Sequence, residues 1–156
     1  MSDQGPVKVD LVEFVPFLLN RAGSRVATSF SQILQAHELS LPMWRVLAVV
    51  HQREGVRAGE LATATSLEPP AISRILGALT KRGFVRREHS SEDARVVSVH
   101  LTPEGDRLIE QIIPHAIQHE DVTLADFTEH EVTHLKDMLR RLYENMERLD
   151  SAVVKA

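Results

Sequence analysis

The fold is decided by residues 58–83, which read AGELATATSLEPPAISRILGALTKRG. The first part predicts a short helix from about Ala58 to Thr65, followed by a tight turn at Ser66-Leu67. Glu68 is expected to cap a second helix, because Pro69 and Pro70 suit a first helical turn, in which a missing backbone N–H costs nothing. Two short helices joined by such a turn are typical of a helix-turn-helix, whose second helix enters the major groove of DNA.

The second helix of this unit has two distinct faces. Ile72, Leu76 and Leu79 recur at helical spacing and are expected to face the core. The opposite face presents Pro70, Ser73, Arg74, Gly77 and Lys81. Gly83 follows the helix and suits the position just past its C-terminus.

The residues of the outer face fit different parts of a DNA duplex. Arg74 is the long donor in the half of the helix that would enter the groove, and Arg to guanine is the commonest specific base contact. Ser73 can reach a base or a phosphate, Pro70 can touch a thymine methyl group, and Gly77 lets the backbone approach closely. Helix pairs of this kind also occur in proteins that do not bind DNA, so the motif needs further support.

Basic residues at and after the end of this helix give part of that support. Lys81 and Arg82 are placed for phosphates, which position a protein without specifying a sequence. Arg86 and Arg87 make the next segment a basic strand. Between Ile72 and Arg87 the chain has five basic residues and no acidic one. The net charge of the whole chain is nevertheless −4, because the acidic residues are concentrated in its C-terminal third. The distribution of charge therefore allows a phosphate-facing surface.

After Gly83 the spacing of the apolar residues changes from that of a helix to that of a strand. Segments 84–88 and 95–101 read as two strands joined by a polar turn at 89–94, which predicts a two-stranded hairpin, or wing. Asp93 and Arg95 lie at its tip, where the carboxylate can direct the Arg into a narrow, electronegative minor groove. The alternative is an incidental ion pair on an exposed turn, which contributes very little.

Helices on both sides of this unit complete the expected fold, a mainly α winged helix-turn-helix with a small β-hairpin wing and a helical dimerisation region. The other helices are predicted over about 10–37, from Ser40 to near Gly55, over 102–125 and over 128–150. Asp10 with Glu13, and Thr128 with Glu131, resemble capping boxes. We expect residues 1–39 and 103–156 to form the dimerisation region around a DNA-binding lobe at 40–102.

The outer helices carry apolar stripes that one small lobe could not cover. The side chains expected to be exposed in a monomer are Leu11, Val15, Leu135, Leu139 and Leu142. Apolar patches of this size mark interfaces, so we expect a homodimer. Two-fold symmetry would place two copies of the groove-entering helix about 34–36 Å apart, one turn of DNA.

With these motifs the chain resembles the MarR family of transcription regulators. The matching stretches are Leu61-Ala62, 71–76, 79–87 and 92–105, the last being the most specific. The resemblance implies an obligate homodimer that binds double-stranded DNA at a pseudo-palindromic operator, usually as a repressor released by a small molecule. Two departures are Ala94, where the family often has a second Arg, and the Pro69-Pro70 pair, which stiffens the helix entry.

The resemblance also implies an effector pocket lined by helices one, two and five. This chain offers there Phe17, Asn20, Arg21, Arg25, Trp44, Arg45 and His51. Residues 41–47 are similar to members that regulate the breakdown of aromatic acids, so we expect an aromatic or phenolic acid, or its coenzyme A thioester. The alternative is that Trp44 belongs to the core and that Arg21 and Arg25 form salt bridges across the dimer.

Other functional classes find less support in the sequence. No Gly-rich phosphate loop, nucleophile elbow or His-Glu-x-x-His motif indicates an enzyme. The pairs His115/His119 and His130/His134 could each share a helix face, as zinc ligands do, but we expect no metal and no cofactor. A zinc-responsive regulator of the same fold, and a winged helix that binds protein instead of DNA, remain as alternatives.

The composition also bounds where the protein works. The chain has no cysteine, which excludes disulfides and thiol chemistry. No stretch approaches the roughly 18 apolar residues of a membrane span. Residues 1–8 lack the basic-then-apolar order of a secretory signal, so we expect a cytoplasmic protein without a membrane partner.

Overall fold

The computed structural model describes residues 9–53, 55–89 and 97–153, with side chains up to residue 149. Along the chain the elements are α1 (Val15–Gln35), α2 (Leu41–Gln52), β1 (Val56–Arg57), α3 (Ala58–Thr65), α4 (Pro69–Lys81), β2 (Val85–His89), β3 (Val97–Leu101), α5 (Pro103–Thr123) and α6 (Glu129–Val153). The described residues up to Ile117 form one compact unit, and those from Gln118 form a second. Across the described ranges, no helix has both the length and the apolar content that crossing a membrane requires.

The core of the first unit gathers side chains from five helices and the sheet. Its fully buried members are Leu34, Val46, Leu47, Leu61, Ile72, Leu79, Val85, Val99, Ile109 and Ile112. The predicted inner face of α4 is confirmed, because Ile72, Leu76 and Leu79 are all buried. Burial of this apolar stripe turns the opposite face of α4 outward.

Side-chain capping explains where α2 and α6 begin, whereas α4 begins at two prolines without such a cap. Ser40 accepts a hydrogen bond from the Met43 amide at 3.4 Å, as expected for the cap of α2. Thr128 and Glu131 form the predicted capping box, with the Thr128 amide 2.8 Å from Glu131 Oε2. Glu68 occupies the cap position of α4, but its side chain makes no capping hydrogen bond there.

The first helix starts later than predicted. It begins at Val15, with Pro16 in its first turn, and not at Asp10. Asp10 accepts a hydrogen bond from the Val12 amide at 3.1 Å, which stabilises a separate turn over residues 11–13. The expected capping box of Asp10 and Glu13 is therefore wrong, because both residues bond within a turn that ends before α1 begins.

The sheet has one strand more than the predicted hairpin. β1 pairs antiparallel with β3, with Val56 opposite Val99 and Arg57 opposite Ser98. The order of the strands is β1-β3-β2, so the strand that precedes α3 lies at one edge. The predicted tip of the wing, with Asp93 and Arg95, lies outside the described residues. The division of the chain by role into 1–39, 40–102 and 103–156 stays a prediction.

Candidate nucleic-acid interface

The exposed face of α4 carries the side chains that the sequence assigned to DNA. Ile72, Leu76 and Leu79 point into the core, and the residues between them on the other side are exposed: Pro70, Ser73, Arg74, Gly77 and Lys81. Spacings of three and four residues place these five on one side of a helix. The structure therefore brings together on one surface the groups that could meet bases and phosphates.

Arg87 in β2 lies beside this face. Its cross-strand partner is the buried Val99, and cross-strand partners point to the same side of a sheet. Arg87 and Ser73 line a cavity of about 220 Å³ together with Gly59 and Pro69. Arg87 is thereby close to the first half of α4, where a phosphate next to the major groove could be reached.

Arg86 lies on the opposite side of the same strand. Its cross-strand partner is His100, and its guanidinium forms an ion pair with Glu88. The predicted basic strand thus presents its two arginines on opposite sides, because successive residues of a strand alternate between its faces. Of the two, only Arg87 shares the side of the sheet that carries α4.

Arg82, predicted to contact phosphate, has internal partners in the structure. Its guanidinium donates hydrogen bonds to the carbonyl oxygens of His37 and Glu38, between α1 and α2. The same group lies over the ring of Phe84, 4.9 Å from the ring centroid. Within the described ranges, by contrast, Arg74, Lys81 and Arg87 form no ion pair, so their charges are available to an outside partner.

The seven residues proposed for an effector do not share one setting, and Arg45 is exposed on α2. Phe17, Asn20, Arg21 and Arg25 are exposed along α1. Trp44 packs edge-on against Phe30, with ring centroids 5.5 Å apart, which favours the alternative that it belongs to the core. The sequence left that alternative open.

His51 lies in a polar cluster under the sheet. Its Nδ1 is 3.3 Å from Asp106 Oδ1 in the first turns of α5. A cavity of about 180 Å³ is lined by this pair together with Arg86 and His100. His100 contacts the Ser98 hydroxyl at 3.0 Å and Glu88 at 3.5 Å. Sequence reasoning missed Asp106 and His100, because their approach to His51 depends on contacts between distant segments.

Within residues 9–53, 55–89 and 97–149, the paired histidines of α5 and α6 have no third ligand beside them. The rings of His130 and His134 stack with their centroids 6.4 Å apart. In the part of the chain that the structure describes, no three His, Asp or Glu side chains gather closely enough to hold a metal ion.

Comparison with known proteins agrees with this architecture. Residues 39–97 match the sequence profile of the MarR family. The chain is 26% identical to the HTH-type transcriptional repressor IacR of Pseudomonas putida over 137 residues, which cover 88% of this chain and 82% of that protein. It is 31% identical to the transcriptional repressor YetL of Bacillus subtilis over 87 residues, covering 56% of this chain and 52% of that one.

Solved structures of similar proteins share the fold over most of the chain. BpsR of Bordetella bronchiseptica, whose DNA binding is regulated by 6-hydroxynicotinic acid, superimposes with a TM-score of 0.80 at 26% identity. The match covers 89% of this chain and 98% of BpsR. A MarR family regulator from Silicibacter pomeroyi gives a TM-score of 0.78 at 27% identity, covering 91% and 96%.

Proposed function

Because the chain belongs to the MarR family, we propose that it acts as a homodimeric repressor that binds a pseudo-palindromic operator and leaves it when a small aromatic acid binds. The chain is a DNA-binding transcriptional regulator with a winged helix-turn-helix, and not an enzyme. The observation that supports operator binding is the exposed face of α4. Its two cations, Arg74 and Lys81, have no internal partner among the described residues.

Each residue on this face has a proposed role. Arg74 contacts a guanine edge in the major groove, and Ser73 and Pro70 contact the neighbouring base or its methyl group. Lys81 and Arg87 bind phosphates on either side of the groove, which sets the register of α4. The small Gly77 allows the backbone to approach the duplex. The predicted minor-groove contact of Arg95, directed by Asp93, completes the interface.

Two other predicted contacts become secondary in this proposal. Arg86 could reach a phosphate only if its ion pair with Glu88 opened, and it lies on the far side of the sheet from α4. Arg82 would have to leave two carbonyl oxygens. We therefore assign the phosphate contacts to Lys81 and Arg87.

The homodimer is supported by apolar side chains that the single chain leaves in water. Leu11 and Val15 are 53% and 54% exposed near the start of α1, and Leu139 and Leu142 are 43% and 38% exposed on α6, whereas Leu135, also expected to be exposed, is half-buried. Exposed apolar residues in such number favour association. A second copy of this chain is the proposed partner, and sedimentation at micromolar concentration tests it.

The effector is proposed to be a planar aromatic or phenolic acid, or its coenzyme A thioester. The similarity to BpsR supports this class, since 6-hydroxynicotinic acid is a hydroxylated aromatic carboxylic acid. Arg21 and Arg25 are exposed on α1 and could bind a carboxylate, and Phe17 on the same helix could cover a ring. Trp44 and His51 already have partners, so we assign them a supporting role.

The proposal is tested by selecting genomic fragments that the purified protein retains, then measuring affinity across a range of salt concentrations. A repressor of this kind should show a steep linear loss of log affinity with log salt, because its cations displace counterions from phosphates. A protein-interaction module would bind no duplex at low ionic strength. Adding aromatic acids and their thioesters should lower the affinity, and unchanged binding across the panel would exclude this effector class.

A further inference from the structure

Arg82 follows α4 directly and contacts the segment that ends α1. Its Nη1 donates to the carbonyl oxygen of Glu38 at 2.7 Å, and its Nη2 donates to the carbonyl oxygen of His37 at 3.1 Å. The side chain is only 28% exposed, and Nη2 is also 3.9 Å from the Glu38 carboxylate. Because guanidinium donors lie in one rigid plane, bonds to two successive carbonyls fix direction as well as distance.

The segment that Arg82 contacts has a constrained backbone. Glu38 adopts a left-handed conformation with φ of 54°, which residues with a β carbon rarely do. The next amide, of Leu39, donates back to the carbonyl oxygen of Leu34 at 3.1 Å, and the Leu39 side chain is buried. These contacts hold the carbonyl groups of His37 and Glu38 where the guanidinium meets them.

The same guanidinium also contacts the turn that joins α4 to β2. Its Cζ lies 4.9 Å from the centroid of the Phe84 ring. The Phe84 amide donates to the Leu79 carbonyl oxygen at 3.0 Å, and the Phe84 carbonyl accepts from the Thr102 amide at 3.0 Å. Arg82 therefore lies between the end of α1 and a turn that is itself bonded to α4 and to the residue before α5.

We propose that Arg82 is a positioning residue: it fixes the orientation of α4 relative to α1, so that the DNA-binding face is presented in one register. The proposal rests on the proposed function, since only a DNA-binding role makes that register matter. Arg21 and Arg25, proposed to bind the effector, also lie on α1. If effector binding shifts α1, the contacts of Arg82 would transmit that shift to α4. A phosphate-binding Arg82 would instead act by charge alone.

The first arm of the test needs no DNA. Amide hydrogen exchange is measured on the free wild-type protein, Arg82→Ala, Arg82→Lys and the neighbouring control Lys81→Ala. Both Arg82 variants should increase exchange of the Leu39 amide by roughly tenfold through easier local opening, and Lys81→Ala should leave it unchanged. Unchanged exchange in Arg82→Ala would overturn the proposal, whatever the DNA measurements give.

The second arm titrates the same proteins with the selected duplex, well below their melting temperatures. Both Arg82 variants should lose about tenfold or more in affinity with an unchanged salt slope, whereas Lys81→Ala should reduce the slope by about one. If Lys restores affinity at position 82 and Ala lowers the slope, Arg82 is a phosphate ligand. If affinity stays at the wild-type level while the melting temperature falls, Arg82 serves stability alone; either result overturns the positioning role.

The two proposals can fail separately. If the wild-type protein binds no duplex, the proposed function fails. If the Arg82 variants then still show faster exchange of the Leu39 amide, Arg82 serves folding alone, and its positioning role is overturned as well. If the wild-type protein binds and the Arg82 variants bind equally well, only the positioning role fails. Arg82→Lys keeps the charge and most of the side-chain volume, so it serves as the test should Arg82→Ala fail to fold.

Discussion

The α carbon of Gly105 lies directly against the backbone of Phe84, since a β carbon at residue 105 would come within 2.0 Å of the Phe84 carbonyl oxygen. That oxygen accepts the Thr102 amide, and the Thr102 hydroxyl accepts the Gly105 amide at 3.1 Å. The first turn of α5 is thus packed against the turn between α4 and β2. Gly105→Ala should lower the free energy of unfolding by about 3 kcal/mol through overpacking, as measured by chemical denaturation.

A matched glycine gives the control for that substitution. A β carbon at Gly59, in the first turn of α3, would meet nothing within 4 Å. Gly59→Ala should leave the free energy of unfolding unchanged or raise it slightly. Equal losses at both positions would mean that the close approach to Phe84 is not the cause.

Arg74 and Lys81 lie on the same face of α4 but should affect DNA binding differently. Arg74→Ala should cost about 1–3 kcal/mol on the selected operator and relax preference at one base pair in each half-site. Lys81→Ala should weaken all sequences alike and reduce the salt slope by about one. Titrations of both variants with the operator and with its single-base variants check these expectations. If Arg74→Ala weakens binding of all these duplexes equally, Arg74 does not contact a base.

Arg86 and Arg87 are neighbours in sequence and should differ in function. Arg87→Ala should weaken binding of all duplexes and lower the salt slope by about one, because its side chain lies on the same side as α4. Arg86→Ala should change affinity little, because its charge is paired with Glu88. Titrations at several salt concentrations compare the two variants. An equal loss of affinity in both would show that the side of β2 on which an Arg lies does not determine whether it contacts DNA.

Gly77 allows stability and DNA binding to be separated. A β carbon at this position would meet nothing within 4 Å in the free protein. Gly77→Ala should therefore raise the free energy of unfolding by about 0.5–1 kcal/mol, the usual gain in a helix interior. If the backbone of α4 approaches the duplex here, the same methyl group should lower affinity. A more stable protein with wild-type affinity would place Gly77 away from the duplex.

The start of α6 should respond to acid. The backbone amide of Thr128, and then its hydroxyl, lower the pKa of the Glu131 carboxyl by hydrogen bonding to its charged form. A carboxyl whose pKa is lower in the folded state stabilises the fold above its unfolded pKa, and this contribution is lost as pH falls through the folded value. Glu131→Gln should thus melt below the wild type at neutral pH, with the difference shrinking below about pH 4. A difference that stays constant with pH would exclude the charge as its source.

Much of the DNA-binding unit could be predicted because its signals are local. The two prolines at 69 and 70 mark the start of α4, and apolar residues at helical spacing mark its buried side. Alternation along β2 is also a local signal, and it places Arg86 and Arg87 on opposite sides of the strand. The faces of these elements follow from a few neighbouring residues.

The remaining features depend on contacts between distant segments. β1 has only two residues, too few for a period, and it exists as a strand through its pairing with β3. The partners of Arg82 are backbone carbonyls 44 and 45 residues earlier, which no side-chain pattern reveals. The pair of His51 and Asp106 joins α2 to α5 across 55 residues. Each of these became visible only with the tertiary structure.

The pairing of Val56 and Arg57 with β3 has a mechanical consequence, because α3 begins at the very next residue, Ala58. Force applied to the hairpin by a bent or twisted duplex would pass through β3 to the base of α3. Loss of the pairing between β1 and β3 would release the first residue of α3 from the sheet, so the hairpin and the helix-turn-helix would no longer move together.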